Sequence, residues 1–264
     1  MRAAAESTTT NPAYPLIGAG DPPPYSIVNA DGRAPLLLVC DHASREFPVA
    51  MGRLGLPADA TCRHIAWDIG AADVTSALAH IFDSPAVLAG YSRLLIDCNR
   101  ALTDPSSIVA TSDGEVIPGN RRLTSIEREH RMRSFFEPYH EAIAHRLEEA
   151  RRRRVIPALV SMHSFTPVFG LETRPWHVGV LWDRDARIAL PLLERLRAVE
   201  GLVVGDNLPY SGRHPADYTI ARHAEGGRLP HVCLEIRQDQ LESAAGLERW
   251  ARIIAQALGP IVMD

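Results

Sequence analysis

The chain has 264 residues, 46% of them hydrophobic, enough to build the core of one large α/β domain or two small ones. Its 28 Lys and Arg against 32 Asp and Glu leave a net charge of −4, without the basic excess that nucleic-acid binding demands, so small molecules are the expected partners. No apolar run reaches the roughly 18 residues of a membrane span, so no membrane partner is expected either.

Residues 1–34, rich in Thr, Ala and Gly and carrying PPP at 22–24, predict an arm lying over the surface. Its opening, MRAAAESTTTNPAYP, lacks the continuous apolar stretch of a secretory signal. Residues 35–264 are expected to form a single domain. In it, short apolar runs predict strands at 36–41, 86–89, 93–98, 157–162, 177–182, 202–205 and 231–236. Longer amphipathic segments predict helices at 69–82, 124–153, 186–199 and 242–257. This alternation predicts an α/β fold: a mixed, mostly parallel central sheet with helices on both faces. Cys40, Cys62, Cys98 and Cys233 form no CxxC pair and three of them sit in apolar runs, which predicts reduced core cysteines and a cytoplasmic protein. RRRR at 151–154 closes a predicted helix, where positive charge complements the free carbonyls, and so predicts a solvated helix end. The turn-rich stretch 99–123 is too long for a simple connection and predicts a functional loop.

In such a fold ligands gather at the carboxyl ends of strands, and four predicted strand ends carry reactive groups. LLLVCDHASREFP delivers Asp41, His42 and Glu46; SRLLIDCNR carries Arg93, Asp97, Asn99 and Arg100; ALVSMHSF delivers His163; HVCLEIRQD delivers Glu235. His42 and Glu46 lie four apart, a spacing that suits a metal pair and equally an ordinary strand-to-helix connection. A carboxylate inside CLEI is costly to bury unless it is paired, with Arg237 as the nearby partner, or put to use. Two imidazoles and one carboxylate are the usual ligand set of a catalytic zinc, which His42, Glu46 and His163 would supply. Glu235 is then the candidate proton shuttle, Arg93 the group for a developing oxyanion, and Arg100 with Asn99 the grip on a substrate carboxylate. Tyr210, Arg213, Thr219 and His223, in NLPYSGRHPADYTIARHA, are candidates for lining the substrate pocket. No GxSxG is present to position a nucleophilic serine.

DHASREFP, SRLLIDCNR, IPGN, PYHEAI, MHSF, NLPYSG and LEIRQD, in this order, resemble the N-formylglutamate amidohydrolase family over roughly residues 25–258. That family is similar in turn to zinc carboxypeptidases and aspartoacylase. The resemblance implies a phosphorylase/hydrolase-like, zinc carboxypeptidase-like sheet and one zinc, or another divalent transition metal, per chain. It implies cleavage of N-formyl-L-glutamate or a similar small acidic N-acyl amino acid, and with it a place in amino-acid catabolism and histidine degradation. It matches His42, Glu46 and His163 to the ligands, Arg93 to the carbonyl-polarising arginine, Asn99 and Arg100 to the carboxylate grip, and Glu235 to the general base. In the carboxypeptidase-like pattern the glutamate follows the first histidine by three residues. Arg45 occupies that place here and Glu46 follows it, which leaves Asp41 and Asp68, in HIAWDIGA, as alternative third ligands. A deacylase or carboxypeptidase-like enzyme on another N-acylated amino acid, or a non-catalytic binding protein on the same fold, are the rival functions.

Overall fold

The computed structural model describes residues 16–213 and 217–263, so the first 15 residues of the expected arm lie outside the described set. The remainder of that stretch contains β1 (Tyr25–Val28), which joins the sheet as an edge strand. There follow β2 (Leu36–Cys40), α1 (Ala71–Ile81), β3 (Ala86–Ala89), α2 (Ser125–Arg131), α3 (Glu137–Arg152), β4 (Ala158–Phe165), β5 (Val178–Leu181), α4 (Ala189–Arg197), β6 (Val204–Asp206), β7 (His231–Arg237) and α5 (Ala244–Val262). Seven strands form one sheet in the order β1-β3-β2-β4-β7-β5-β6. The central β3, β2, β4 and β7 run parallel, β1 runs against β3, and β5 and β6 run together against β7.

The apolar strands are buried on both faces, as expected of parallel strands covered by helices. Along β2 the pleat sends Leu36, Leu38 and Cys40 into a core shared with α1, α4 and α5, and Leu37 and Val39 into a second core beneath α3. α5 earns its place through Trp250, Ala251, Ile254, Ala257 and Leu258, spaced by three and four residues and buried along one stripe. Burying Ile254 and Leu258 contributes about 1.5 to 3 kcal/mol each. The Ser243 hydroxyl caps this helix by accepting from the Gly246 N–H. The predicted helix 124–153 starts on a capping box between Thr124 and Glu127 and continues through a π-helical turn, Met132–Phe136, that joins α2 to α3. At its end Arg151 and Arg152 reach Glu148 from exposed positions, the solvated helix end expected for RRRR.

Residues 93–98 do not form the expected strand. Local bonds take the backbone instead: the Ser92 hydroxyl accepts from the Leu94 N–H and the Asp97 carboxylate from the Asn99 N–H, closing turns where a ladder would have run. Leu94, Leu95 and Ile96 still bury, in a third apolar cluster with Phe135 and Phe136. The long loop 99–123 is organised around short 3-10 turns and a small hairpin, Thr111–Ser112 with Glu115–Val116. Cys40, Cys98 and Cys233 are buried, Cys62 is exposed, and all four are free thiols. Among the described residues no helix is long and apolar enough to cross a membrane.

Candidate metal centre and its cavity

Parallel strands bring their carboxyl ends to the same edge. β2 there releases Asp41 and His42, β4 presents His163 and β7 presents Glu235. Glu235 pairs in register with His163, and the pleat turns Leu234 and Ile236 to the opposite face, into the core under α1 and α5. Asp68 arrives on the turn before α1, held to the first strand end by its N–H, which donates to the His42 carbonyl at 2.9 Å. Gly70, at φ +76°, then swings the chain into α1; a Cβ there would stand 2.5 Å from Leu241 Cβ.

His42, Asp68 and His163 each offer a ligand atom within 4.8 Å of the others, and all three are buried: they form a cluster able to hold a metal ion. Each ring is fixed from behind by a carboxylate. His42 Nε2 donates to Asp97 Oδ1 at 2.7 Å, and His163 Nε2 to Asp41 Oδ2 at 3.1 Å. Nδ1 of each ring is thereby aimed at Asp68 Oδ2, at 3.3 and 2.8 Å respectively. Outer carboxylates that fix the tautomer and turn the inner nitrogens inward are how proteins hold metal-ligating histidines, so these residues fit a divalent metal of the zinc type. Asp41 is itself held by the hydroxyls of Ser161 and Thr219, and Asp97 by Arg93 through Nε and Nη2.

Burial opposes charge on Asp41, Asp68 and Asp97, yet the bonds and charges of His42, His163 and Arg93 outweigh it and hold all three far below the usual carboxylate range. Burial likewise opposes the imidazolium forms, and the same carboxylates raise both histidines above their ordinary value. Glu235 is different. It has no hydrogen bond or ion pair among the described residues, its Oε2 is buried without a partner, and burial pushes it up to about 8. The partner considered for it, Arg237, pairs with Asp239 instead and donates to the carbonyls of Arg174 and Pro175.

These groups line a cavity of about 560 Å³ whose wall includes His42, Asp68, His163, Glu235, Arg93 and Arg100. Asn99 and Tyr210 line it as well. The Asn99 amide is anchored on both sides, donating from Nδ2 to Asp217 and accepting from the Thr219 N–H, and Arg100 Nη1 donates to the Asn99 carbonyl. Five of the predicted residues lie elsewhere in the structure. Glu46 is exposed and outside the cluster, because the chain after His42 runs on irregularly instead of turning helical; Asp68 stands in its place. Arg45 is exposed, bonded to Cys62 Sγ and lying over Trp67. Arg213 is exposed over Trp182. His223 is buried behind the site, its Nε2 3.0 Å from His140 Nδ1, because it lies on a helical turn that packs against α3. Thr219 serves Asp41 and Asn99 and does not face the cavity. No role was legible in the sequence for Asp97, His64 or Asp217; four-residue spacing from Arg93 was the one available signal, and only for Asp97.

The N-formylglutamate amidohydrolase family profile matches residues 34–241. Among solved structures, the chain is similar to gene product Atu2144 from Agrobacterium tumefaciens, with 32% identity, a TM-score of 0.90, and coverage of 93% of this chain and 97% of that one. It also matches an N-formylglutamate amidohydrolase from Ralstonia eutropha JMP134 at 19% identity and a TM-score of 0.69, over 90% of this chain and 97% of that one, a likeness of fold. No curated protein matches the chain.

Proposed function

The chain belongs to the N-formylglutamate amidohydrolase family, and from that premise we propose that it is a zinc-dependent amidohydrolase that cleaves N-formyl-L-glutamate, or a similar small acidic N-acyl amino acid, to formate and the free amino acid. The observation that carries the reading is the company Glu235 keeps. A carboxyl buried without a partner is costly, and this one shares a cavity with a His/Asp/His cluster and two arginines.

His42, Asp68 and His163 would hold the metal. A divalent ion bound there would supply Lewis acidity, acidifying water, polarising the amide carbonyl and favouring the charged form of a neighbouring carboxyl. Glu235 takes the proton of the attacking water on its carboxylate and returns it to the departing amine nitrogen. Arg93 commits Nε and Nη2 to Asp97, which keeps its guanidinium fixed at the cavity wall, where its charge meets the negative charge developing on the former carbonyl oxygen. Arg100 grips a substrate carboxylate, and the second N–H of the Asn99 amide adds a donor beside it.

The test is formate release from a panel of N-formyl and N-acetyl amino acids, with protein stripped of metal and with zinc restored. The expected result is zinc-dependent formate release, greatest with N-formyl-L-glutamate. Absence of formate from every N-formyl substrate with zinc present would overturn the reading, and amine release from N-acetyl substrates alone would make the protein a deacylase.

A further inference from the structure

Arg174 is 5% exposed, yet it forms no ion pair among the described residues. A guanidinium is a cation, so this is a buried positive charge with no carboxylate paired to it among the described residues. Three aromatic rings enclose it: Phe165 at 6.0 Å, Phe169 at 4.9 Å and Tyr210 at 4.8 Å. Such contacts recover part of the lost hydration, but they leave its donors largely unused. Among the described residues its side chain makes one hydrogen bond, from Nη1 to the Tyr210 hydroxyl at 2.9 Å. Its backbone is clamped, the N–H donating to the Pro167 carbonyl and the carbonyl accepting from Arg237.

The position of this cation relative to the cavity gives it a use. Phe165 and Tyr210, two of the rings packed on Arg174, are themselves cavity wall, so the guanidinium lies directly behind it. The Tyr210 hydroxyl receives a hydrogen from Arg174 and keeps its own to donate, and a hydroxyl that accepts from a cation is a stronger donor. His64 lines the same cavity, and its Nε2 is buried with no hydrogen-bond partner among the described residues; a carboxylate oxygen of Asp113 is 3.6 Å away. Burial first, with the charges of Arg63, Arg93 and Arg174 behind it, keeps the His64 ring toward its neutral form, in which one ring nitrogen carries a hydrogen.

We propose that Tyr210 and His64, backed by the buried charge of Arg174, form the subsite that receives the acidic end of the substrate side chain, so that the protein selects a second carboxylate in addition to the one gripped by Arg100 and Asn99. The inference rests on the proposed amidohydrolase reading and names what decides its side-chain preference. Arg174 acts through Tyr210 and is a positioning residue. Tyr210 and His64 would touch the substrate.

The experiment compares kcat/KM for N-formyl-L-glutamate and its neutral isostere N-formyl-L-glutamine, alongside calorimetric binding of L-glutamate and L-glutamine. It uses the zinc-loaded wild type, Arg174→Met, Arg174→Lys and Tyr210→Phe. The wild type should favour the acid by roughly 10- to 100-fold, the range of one charge-assisted hydrogen bond. Arg174→Met should collapse that ratio toward one, chiefly through KM, and Arg174→Lys should restore part of it. Tyr210 is 44% exposed, so Tyr210→Phe tests the subsite even where the arginine variants fold poorly, and it should lower the ratio in the same sense. Equal losses on both substrates, or an unchanged ratio in Tyr210→Phe and in folded Arg174→Met, would overturn the proposal while leaving the amidohydrolase reading intact. If no formyl amide is cleaved but binding still favours glutamate over glutamine in an Arg174-dependent way, the subsite stands and the acyl assignment falls. A wild type that binds both amino acids equally and does not discriminate in turnover refutes the subsite outright.

Discussion

Replacing Asp68 and Glu46 in turn separates the candidate third metal ligand that the fold brings to the histidines from the one that sequence spacing favoured. In the structure the Asp68 carboxylate faces His163 Nδ1 at 2.8 Å and His42 Nδ1 at 3.3 Å, accepts from the Ser164 N–H at 3.3 Å and lies 3.7 Å from Arg93 Nη1. Hydrogen bonds to a charged group are worth about 1.5 to 3 kcal/mol each but do not add, and removing one partner of a buried charged network costs about 3 to 5 kcal/mol. Asp68→Ala should therefore lose that much stability, and at about 2 to 4 °C per kcal/mol for a protein near this size its melting temperature should fall by roughly 6 to 20 °C. The Glu46 side chain is exposed; its backbone N–H accepts no change from a substitution to alanine, since it donates to the Ser44 hydroxyl, and its carbonyl receives the Ser92 N–H. Glu46→Ala should stay within about 0.5 kcal/mol of the parent. Zinc adds the second contrast. Free zinc at about 100 times its dissociation constant should stabilise the parent and Glu46→Ala by about 2.7 kcal/mol, and Asp68→Ala by much less. Scanning calorimetry with and without zinc, together with metal content after dialysis, reads both effects. Loss of the zinc increment in Glu46→Ala with its retention in Asp68→Ala would refute the assignment.

Glu235→Gln keeps the shape of a side chain that has no partner to lose among the described residues, so the variant should fold and bind zinc while its turnover drops about 100- to 10,000-fold; near-parental turnover would show that another group carries the proton. Asp97→Asn should weaken zinc binding by about 10- to 100-fold in equilibrium dialysis, because His42 loses the carboxylate that fixes its tautomer, and an unchanged affinity would mean that packing alone orients the ring. Burial lowers His140 to about 4 and, with the neighbouring His140, lowers His223 to about 3, both below the unfolded value. Their contribution to stability is therefore present above about pH 6.5 and is lost as pH falls toward 4, by about 3 kcal/mol per histidine over two pH units. Denaturation of the parent and His223→Gln at pH 7 and pH 4.5 checks this: the stability gap between them should narrow in acid, with KM unaffected at either pH where both remain folded. A gap independent of pH would show that the pair is not held neutral.

The central strands were legible in the sequence because each consists of consecutive apolar residues, and burial on both faces leaves that pattern little other meaning. That His42, His163 and Glu235 meet at one edge was legible for the same reason: a polar group inside or just after such a run is costly without a use, and parallel strands bring their ends together. Two things depended on the tertiary structure. The segment 92–100 has a strand's composition, but side-chain bonds from Ser92 and Asp97 hold it in turns, which is how Asp97 comes to lie between His42 and Arg93. The candidate third ligand was decided by distance through space. Asp68 lies 26 residues after His42, and only the His42 carbonyl that accepts its N–H, with the left-handed turn at Gly70, brings it between the two rings. Glu46, four residues from His42, is carried away from the cluster by the irregular chain that follows β2. Spacing along a chain specifies a shared face only where the backbone is regular, and between the strand end and α1 it is not.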